Sequence, residues 1–439
     1  MNYRDTLRIN QNNHLEIGGI DTIALANKYG TPVYVLDVEY VENVCSAYLD
    51  TLNRNYGYGT VAYASKALSC KAIYQIMKAQ NMSIDVVSGG EIYTALSVGF
   101  PAEKMYFHGN NKLISELEYA ISSNVGTIVA DNLEEIEIID RIAKQKGIVQ
   151  NILLRINPGV EAHTHNFVQT AKIDSKFGFY IANGDADKAL KHSLKFKNVN
   201  LRGFHSHIGS QIFQKEAFSL AVEKLTDYMV SVKEKFGFIT DVLNMGGGFG
   251  VWYTDDDPAF SVNEYALYVK NIIDTLNVAI KEKNLQKPYL ILEPGRSIVC
   301  EAGITLYSVG MIKDISNIKK YVCIDGGMFD NPRYALYQAK YSAVVANKAG
   351  DTPTEKVTLA GKCCESGDVI AEVDLPECSR GDIIAVFSTG AYNYSMASNY
   401  NRNFVPPIVA VYKGNSDYIV RPQSFEDVTR NDCTLDWIK

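Results

Sequence analysis

The sequence predicts an α/β protein in which a TIM-like (β/α)8 barrel is joined to a second, β-rich domain. Eight short apolar runs alternate with amphipathic helical patterns, which is typical of βαβ units around a parallel sheet. Eight such units within about 240 residues suit a closed barrel better than a doubly wound open sheet. After Gly303 the apolar runs are separated by turns instead of helices. A chain of 439 residues has room for both parts.

Composition and charge narrow the class of protein. The chain is 46% hydrophobic and 21% charged, as globular proteins are, and its net charge of −7 offers no basic surface for nucleic acid. Neither a bilayer-spanning apolar run nor the apolar core of a signal peptide is present, so no membrane contact is expected. The eight cysteines are scattered without a CxxC pair. We therefore expect a cytoplasmic protein with reduced thiols and no metal site.

The N-terminal segment does not fit the barrel pattern. It predicts two short strands, around Asp5–Ile9 and His14–Gly18, which have no barrel partner. We assign them to the β-rich domain. The predicted domains are therefore the barrel at 36–303, and the β-rich domain formed by 1–35 together with 304–439.

Each predicted element rests on a local pattern. The predicted barrel strands are Thr60–Ala64, Ser83–Val87, Met105–Phe107, Thr127–Ala130, Ile152–Ile156, Leu201–His207, Val242–Met245 and Leu290–Glu293. Helical patterns between them include Ile114–Ser122, Leu133–Lys146, Phe218–Lys235 and Val262–Lys283. The predicted strands of the second domain are Ile304–Val309, Tyr321–Ile324, Lys356–Leu359, Ile383–Phe387, Ile408–Val411 and Asp417–Val420.

Several reactive residue types and a run of glycines fall where the predicted barrel strands end. Barrel enzymes place their chemistry at the carboxyl ends of the strands, so these residues are expected on one rim. The residues at these positions are Lys66, Ser88, His108, Arg155, His205, His207, Gly246–Gly248 and Glu293.

Lys66 follows the first buried run directly. Burial of an amine is costly, lowers its pKa and makes it a nucleophile suited to Schiff-base chemistry. The alternative is a lysine whose head reaches solvent or pairs with a carboxylate.

Two motifs suggest a phosphorylated cofactor with a ring nitrogen. The run Gly246–Gly250 follows the seventh strand, where barrels often bind phosphate through backbone N–H groups, although a tight turn explains it equally well. Glu293 and Arg296 follow the eighth strand. The carboxylate could keep a ring nitrogen protonated and the arginine could bind a carboxylate or phosphate, or the two could simply pair within one turn.

Two further motifs leave alternatives open. His205 and His207 could bind zinc, or they could stack and form structural hydrogen bonds. Cys364 and Glu365 could supply a proton donor and a binding carboxylate, although the segment also fits an ordinary turn.

Taken together, the motifs resemble those of the fold-type III pyridoxal-phosphate decarboxylases over nearly the whole chain. In chain order they are Tyr-Ala-Ser-Lys66-Ala, Asp-Val-Val-Ser88-Gly-Gly-Glu, Phe107-His-Gly-Asn-Asn-Lys112, Arg155-Ile-Asn-Pro-Gly, Asp174-Ser-Lys-Phe-Gly, His207-Ile-Gly-Ser210-Gln, Gly246-Gly-Gly-Phe-Gly, Glu293-Pro-Gly-Arg296, Cys364-Glu-Ser-Gly-Asp and Gly390-Ala-Tyr392.

The resemblance implies a set of residues that bind pyridoxal 5'-phosphate. Lys66 would carry the cofactor as a Schiff base, His207 would stack on its ring, and Glu293 would keep the ring nitrogen protonated. The other cofactor-binding residues implied are Ser210, Gly247, Gly248, Gly295, Arg296 and Tyr392.

The resemblance also implies how the substrate is bound and which reaction follows. The implied substrate-binding residues are Arg296, Arg333, Tyr337, Glu365 and Tyr392, and Cys364 is the implied proton donor. Cys364 and Glu365 would act in the partner's active site, which implies a homodimer. The implied reaction converts meso-2,6-diaminopimelate to L-lysine and CO2, in the last step of lysine biosynthesis.

Several alternatives remain at this stage. Related decarboxylases act on D-lysine, D-ornithine or carboxynorspermidine, and Tyr334 stands where the family usually has proline after Arg333, which bears on substrate preference. An isomerase resembling alanine racemase would share the barrel. A metal-dependent barrel hydrolase, from a different class, would use His205 and His207.

Overall fold

A computed structural model describes residues 6–160, 175–258 and 261–438. The described residues divide into two compact units. One comprises those within Met1–Val41, Trp252–Ala259 and Val299–Lys439, and the other those within Glu42–Val251 and Phe260–Ile298. This division does not test the domain limits expected from the sequence, which stay a prediction.

The segment before the barrel forms a small sheet and then a strand of the larger β-rich sheet. Its elements are β1 (Leu7–Ile9), β2 (Leu15–Ile17), β3 (Ile20–Asp21), α1 (Thr22–Tyr29), β4 (Val33–Asp37) and α2 (Val38–Asn55). β1, β2 and β3 pair antiparallel in that order. Asp5, with which the first predicted strand began, lies outside the described residues. α1 is capped by the Asp21 side chain, which accepts from the backbone N–H of Ile23.

The barrel has the eight strands that the sequence predicts. They are β5 (Gly59–Ala64), β6 (Ser83–Val86), β7 (Met105–Phe107), β8 (Thr127–Ala130), β9 (Gln150–Asn157), β11 (Val199–His205), β12 (Val242–Asn244) and β13 (Tyr289–Leu292), with β10 (Phe179–Tyr180) added to β9. Every neighbouring pair is parallel, and β13 closes onto β5 with Leu290 opposite Gly59. The predicted barrel is therefore confirmed.

Helices follow the barrel strands. They are α3 (Lys71–Ala79), α4 (Gly89–Leu96), α5 (Ile114–Ser122), α6 (Leu133–Lys146), α7 (Asp185–Ser193), α8 (Lys215–Phe236), α9 (Val262–Glu282) and α10 (Arg296–Val299). Ser88 caps α4 by accepting from the N–H of Glu91, whose carboxylate accepts from the N–H of Val87. Among the described helices, none combines the length and apolarity needed to cross a bilayer.

The second unit is built on a nine-stranded sheet. Its later elements are β14 (Gly303–Ile315), β15 (Lys319–Ile324), α11 (Arg333–Tyr337), β16 (Ala343–Val345), β17 (Glu355–Ala360), β18 (Val369–Leu375), β19 (Ile383–Val386), β20 (Ile408–Tyr412), β21 (Asn415–Val420) and α12 (Phe425–Thr429). The strand order is β18-β17-β15-β14-β4-β20-β21, with β19 pairing β14 and β16. All five residues of β4 are buried. The predicted β-rich second domain is thus confirmed.

Candidate active site

Lys66 lies in a short 3-10 turn, Ser65–Ala67, that follows β5. Its two neighbours in the turn are buried, whereas its own side chain is exposed. Of the two alternatives that the sequence left open for Lys66, the structure agrees with the side chain that reaches solvent. The charge of Lys66 acts on His207 and Asp85, so the exposed amine lies at the same end of the barrel as these residues.

A buried carboxylate, Glu293, occupies the end of β13 and is only 6% exposed. Its Oε1 accepts hydrogen bonds from His108 Nε2 at 2.8 Å and Asn244 Nδ2 at 2.6 Å. Its Oε2 accepts from His205 Nε2 at 3.1 Å. These donors come from the ends of β7, β12 and β11, so barrel closure brings them together.

The charges in this cluster follow from burial and from these contacts. Burial by itself would raise the pKa of Glu293, but His108 and His205 hold it well below its usual range. The pKa of His108 is raised because Asp85 and Glu293 outweigh burial. Burial lowers the pKa of His205 to about 4. At neutral pH the cluster therefore contains an ionised Glu293 and a neutral His205.

The glycine run after β12 packs so closely that side chains are excluded. A Cβ on Gly247 would lie 2.0 Å from the carbonyl oxygen of Glu293. A Cβ on Gly248, whose φ is +105°, would lie 2.2 Å from the carbonyl oxygen of Gly209. Gly246 has a φ of +66° and a similar contact with Ser206. Close backbone approach therefore requires these glycines, which is compatible with a phosphate-binding loop and with a tight turn.

His207 lies beside this loop, where its Nδ1 accepts a hydrogen bond from the N–H of Gly247 at 3.3 Å. Burial lowers the pKa of His207 well below its usual value, and the positive charges of Lys66 and Arg155 lower it further. The imidazole is consequently neutral. A neutral ring is suited to stacking on another aromatic ring.

Ser210 and Arg296 also meet at this end of the barrel. Arg296 Nη2 donates a hydrogen bond to Ser210 Oγ at 3.2 Å. The preceding Gly295 allows the chain to pass β5, since a Cβ there would lie 2.8 Å from that of Ala64. The structure thus brings Ser210, the glycine run, His207, Glu293 and Arg296 into one region of the barrel unit.

The other predicted residues belong to the β-rich unit. Arg333 begins α11 and is 8% exposed. Its Nη1 donates to Tyr253 Oη at 2.8 Å and to Tyr341 Oη at 3.4 Å. The guanidinium carbon also lies 5.7 Å from the ring centre of Tyr392. Arg333 and Tyr392 are therefore neighbours in the β-rich unit; their shared role in binding substrate stays a prediction.

The remaining three predicted residues are exposed. Tyr337 ends α11 with 41% of its surface exposed. Cys364 and Glu365 lie in a turn in which the Cys364 N–H donates to Asn401 Oδ1 at 3.4 Å. No hydrogen bond or ion pair within the described ranges joins any of the three to Arg333.

Tyr334 occupies the position that is usually proline in the family. It is the second residue of α11, and Pro332 is the N-cap residue of that helix. Backbone hydrogen bonds from Leu336 to Pro332 and from Gln338 to Tyr334 close the turn. Pro332 thus supplies a fixed φ at the start of the helix, although not at residue 334.

Sequence reasoning missed four residues of these two groups. Asp85 and Asn244 are polar residues in buried strands, and that position at a strand end was an available signal. Tyr253 and Tyr341 carry no local signal, because only the fold of the β-rich unit brings them to Arg333.

Three potential metal ligands also lie in the barrel cluster. One ligand atom from each of His108, His205 and Glu293 lies within 4.8 Å of the others. All three side chains are joined by hydrogen bonds. The hydrolase alternative required His205 together with His207, and His207 instead accepts from Gly247.

Comparison with known proteins agrees with this geometry. The family profile of the pyridoxal-dependent decarboxylases, pyridoxal binding domain, matches residues 41–300. The chain belongs to the pyridoxal-dependent decarboxylase family, as the motifs predicted.

Particular relatives carry a more specific name. Diaminopimelate decarboxylase from Halalkalibacterium halodurans is 45% identical over 436 residues, covering 99% of both chains. The Bacillus subtilis protein of that name is 46% identical and covers 97% of both. A crystal structure of diaminopimelate decarboxylase from M. jannaschii in co-complex with L-lysine matches with a TM-score of 0.89, 35% identity and 99% coverage of both chains.

Proposed function

We propose that the chain catalyses decarboxylation of meso-2,6-diaminopimelate to L-lysine and CO2, the last step of lysine biosynthesis, with pyridoxal 5'-phosphate as cofactor. The observation that carries this proposal is identity of 45–46% over nearly the full length with two proteins named diaminopimelate decarboxylase. The enzyme class is a carboxy-lyase.

The residues at the end of the barrel fit the proposed cofactor. Gly246, Gly247 and Gly248 form a loop without room for side chains, which suits close contact of backbone N–H groups with a phosphate. Lys66 presents an exposed amine, and Glu293 presents an ionised carboxylate. When bound, pyridoxal phosphate supplies an electron sink for the electron pair that CO2 leaves behind.

Each barrel residue then has a defined task. Lys66 holds the cofactor covalently through Nζ, and Ser210 with Arg296 and Gly295 completes the phosphate-binding surroundings. Glu293 attracts a proton to the ring nitrogen, because His108 and His205 keep the carboxylate ionised. His207 stacks on the ring in its neutral form, which avoids placing a second positive charge beside Lys66.

The substrate-binding residues lie in both units. Arg296, Arg333 and Tyr337 bind carboxylate, and Tyr392 contacts cofactor and substrate. Glu365 binds the distal ammonium group. Cys364 donates a proton from Sγ to the carbon that has lost CO2. Removal of one carboxylate from meso-diaminopimelate leaves the carboxylate that L-lysine retains.

We further propose that the enzyme is a cytoplasmic homodimer in which each active site is completed by the partner subunit's Cys364 and Glu365. Both residues are exposed on the single chain, as they must be to enter a partner's site. Scattered, unpaired cysteines support a reducing compartment.

Product analysis tests the proposed reaction. Holoenzyme incubated with meso-diaminopimelate should release CO2 and L-lysine in equal amounts. A parallel reaction contains D-lysine instead, and we expect it to give no cadaverine. Faster turnover of D-lysine would replace the proposal with the D-amino-acid alternative.

A further inference from the structure

Arg333 is a buried cation that has no carboxylate counter-ion among the described residues. Its hydrogen bonds go to two phenol oxygens, of Tyr253 and Tyr341, and no carboxylate within residues 6–160, 175–258 and 261–438 forms an ion pair with it. Burial would lower the pKa of Arg333, but both tyrosines raise it, so the guanidinium remains charged. A buried charge is costly without a partner, and this site therefore favours an incoming anion.

The tyrosines engage only one side of the guanidinium. Nη1 carries two hydrogens, and its two contacts with Tyr253 and Tyr341 use both. Nε and Nη2 have no acceptor among the described residues. Neither nitrogen is among the fully buried polar atoms that lack a partner, so this edge reaches solvent. Nε and Nη2 together present the parallel N–H pair that binds both oxygens of a carboxylate.

The two tyrosines are themselves held in place. Their rings pack edge to face with centres 5.5 Å apart. Tyr341 is 2% exposed and donates to Asn393 Oδ1 at 3.3 Å. The carbonyl oxygen of Tyr253 accepts from the N–H of Ser342 at 3.1 Å. Arg333 is therefore held against a fixed pair, which limits rotation of its guanidinium.

We infer that Tyr253 and Tyr341 are positioning residues that fix the Nε and Nη2 edge of Arg333 for side-on binding of a substrate carboxylate. The identity of that carboxylate rests on the proposed function: it is the one that L-lysine retains. The pair thereby selects ligands with this carboxylate over the corresponding diamine. Tyr253 has the shorter hydrogen bond and is expected to contribute more than Tyr341.

The test compares L-lysine with cadaverine, which differs only in lacking the carboxylate. Affinities of holoenzyme for both are measured by calorimetry for wild type, Tyr253→Phe and Tyr341→Phe. Phenylalanine keeps the ring and removes only the hydroxyl. Tyr253→Phe should weaken L-lysine binding about tenfold and cadaverine binding less than twofold, with a smaller loss for Tyr341→Phe. The KM for diaminopimelate should rise by the same factor while kcat changes little.

Tyr29→Phe is the matched control, since Tyr29 Oη donates to the Ser416 carbonyl oxygen at 2.7 Å in the same unit. It should change neither affinity. Equal losses of L-lysine and cadaverine binding in Tyr253→Phe, or no loss of either, would overturn the inference. If Tyr253→Phe does not fold, the same comparison of L-lysine and cadaverine affinities in Tyr341→Phe tests the inference.

Failure of the proposed function would be seen differently: wild type would release no CO2 from diaminopimelate. The binding comparison does not depend on turnover, so the two failures can be distinguished.

Discussion

The barrel unit and the β-rich unit each bury a charged side chain, but they differ in how many protein hydrogen bonds that side chain forms. In the barrel, the Glu293 carboxylate accepts three hydrogen bonds from side chains on three different strand ends. In the β-rich unit, Arg333 is comparably buried, but among the described residues only its Nη1 donates, to two phenol oxygens. The first group is neutralised by protein donors, whereas the second, as we infer, is left for a substrate carboxylate. The two units therefore suggest two designs: a proposed cofactor site organised in advance, and a charge that we infer is used for recognition.

The largest expected effect comes from removing the barrel's proposed covalent attachment point. Lys66→Ala should lower kcat by roughly a thousandfold or more, because no other group then holds the cofactor covalently. Borohydride treatment of wild type should attach the cofactor to the peptide that contains Lys66. Lys71→Ala, at the start of α3, is the control and should keep full activity. Label on a different lysine would contradict the assignment.

Mixing two variants, one altered in the barrel unit and one in the β-rich unit, tests whether the two residues act in the same chain. Lys66→Ala and Cys364→Ala should each be nearly inactive alone. If sites are shared across a homodimer, subunit exchange should restore activity towards about a quarter of wild type, because half of the dimers then have one intact site. Proven exchange without recovered activity would show that both residues act within one chain.

The glycine loop tests how far the barrel site is fixed in advance. Gly247→Ala should destabilise the protein by about 3 kcal/mol and weaken retention of the cofactor, since the new Cβ would lie 2.0 Å from a backbone oxygen. Gly310→Ala provides the control, because the nearest atom to its Cβ would be 3.8 Å away. Thermal unfolding and visible absorbance report the two effects. Equal behaviour of both variants would argue against a tightly packed loop.

The last expected effect appears only when the pH is lowered. The pKa of His205 is lowered to about 4, so between pH 6.5 and 4 the unfolded chain takes up a proton that the folded protein does not. Stability contributed by neutral His205 is therefore present above pH 6.5 and lost as pH falls to 4, by up to about 3 kcal/mol. His205→Gln, which can still donate to Glu293, should flatten this part of the unfolding profile. An unchanged slope would show that His205 is not the group responsible.

Sequence predicted the barrel well because its strands are short and buried, and such strands read as continuous apolar runs. It missed β16, which has only three residues, and β18, whose buried and exposed residues are mixed. It placed Glu293 and His205 at strand ends but could not show that His108 and Asn244 share the same carboxylate. That requires knowledge of which strands become neighbours on closure. The exposure of Lys66 was likewise decided by a turn of three residues.

The position of β4 in the sheet determines when this strand can pair during synthesis of the chain. Val35 pairs with Ile304 of β14 on one side and Val409 of β20 on the other, so both partners are translated hundreds of residues later. The barrel segment leaves the ribosome after β4 and before β14 and β20. β4, whose five residues are all buried in the folded protein, therefore lacks both sheet partners until they have been synthesised, and an unpaired strand is prone to aggregation. Closure of the β-rich sheet around β4 is then a late, long-range event, expected to limit the folding rate.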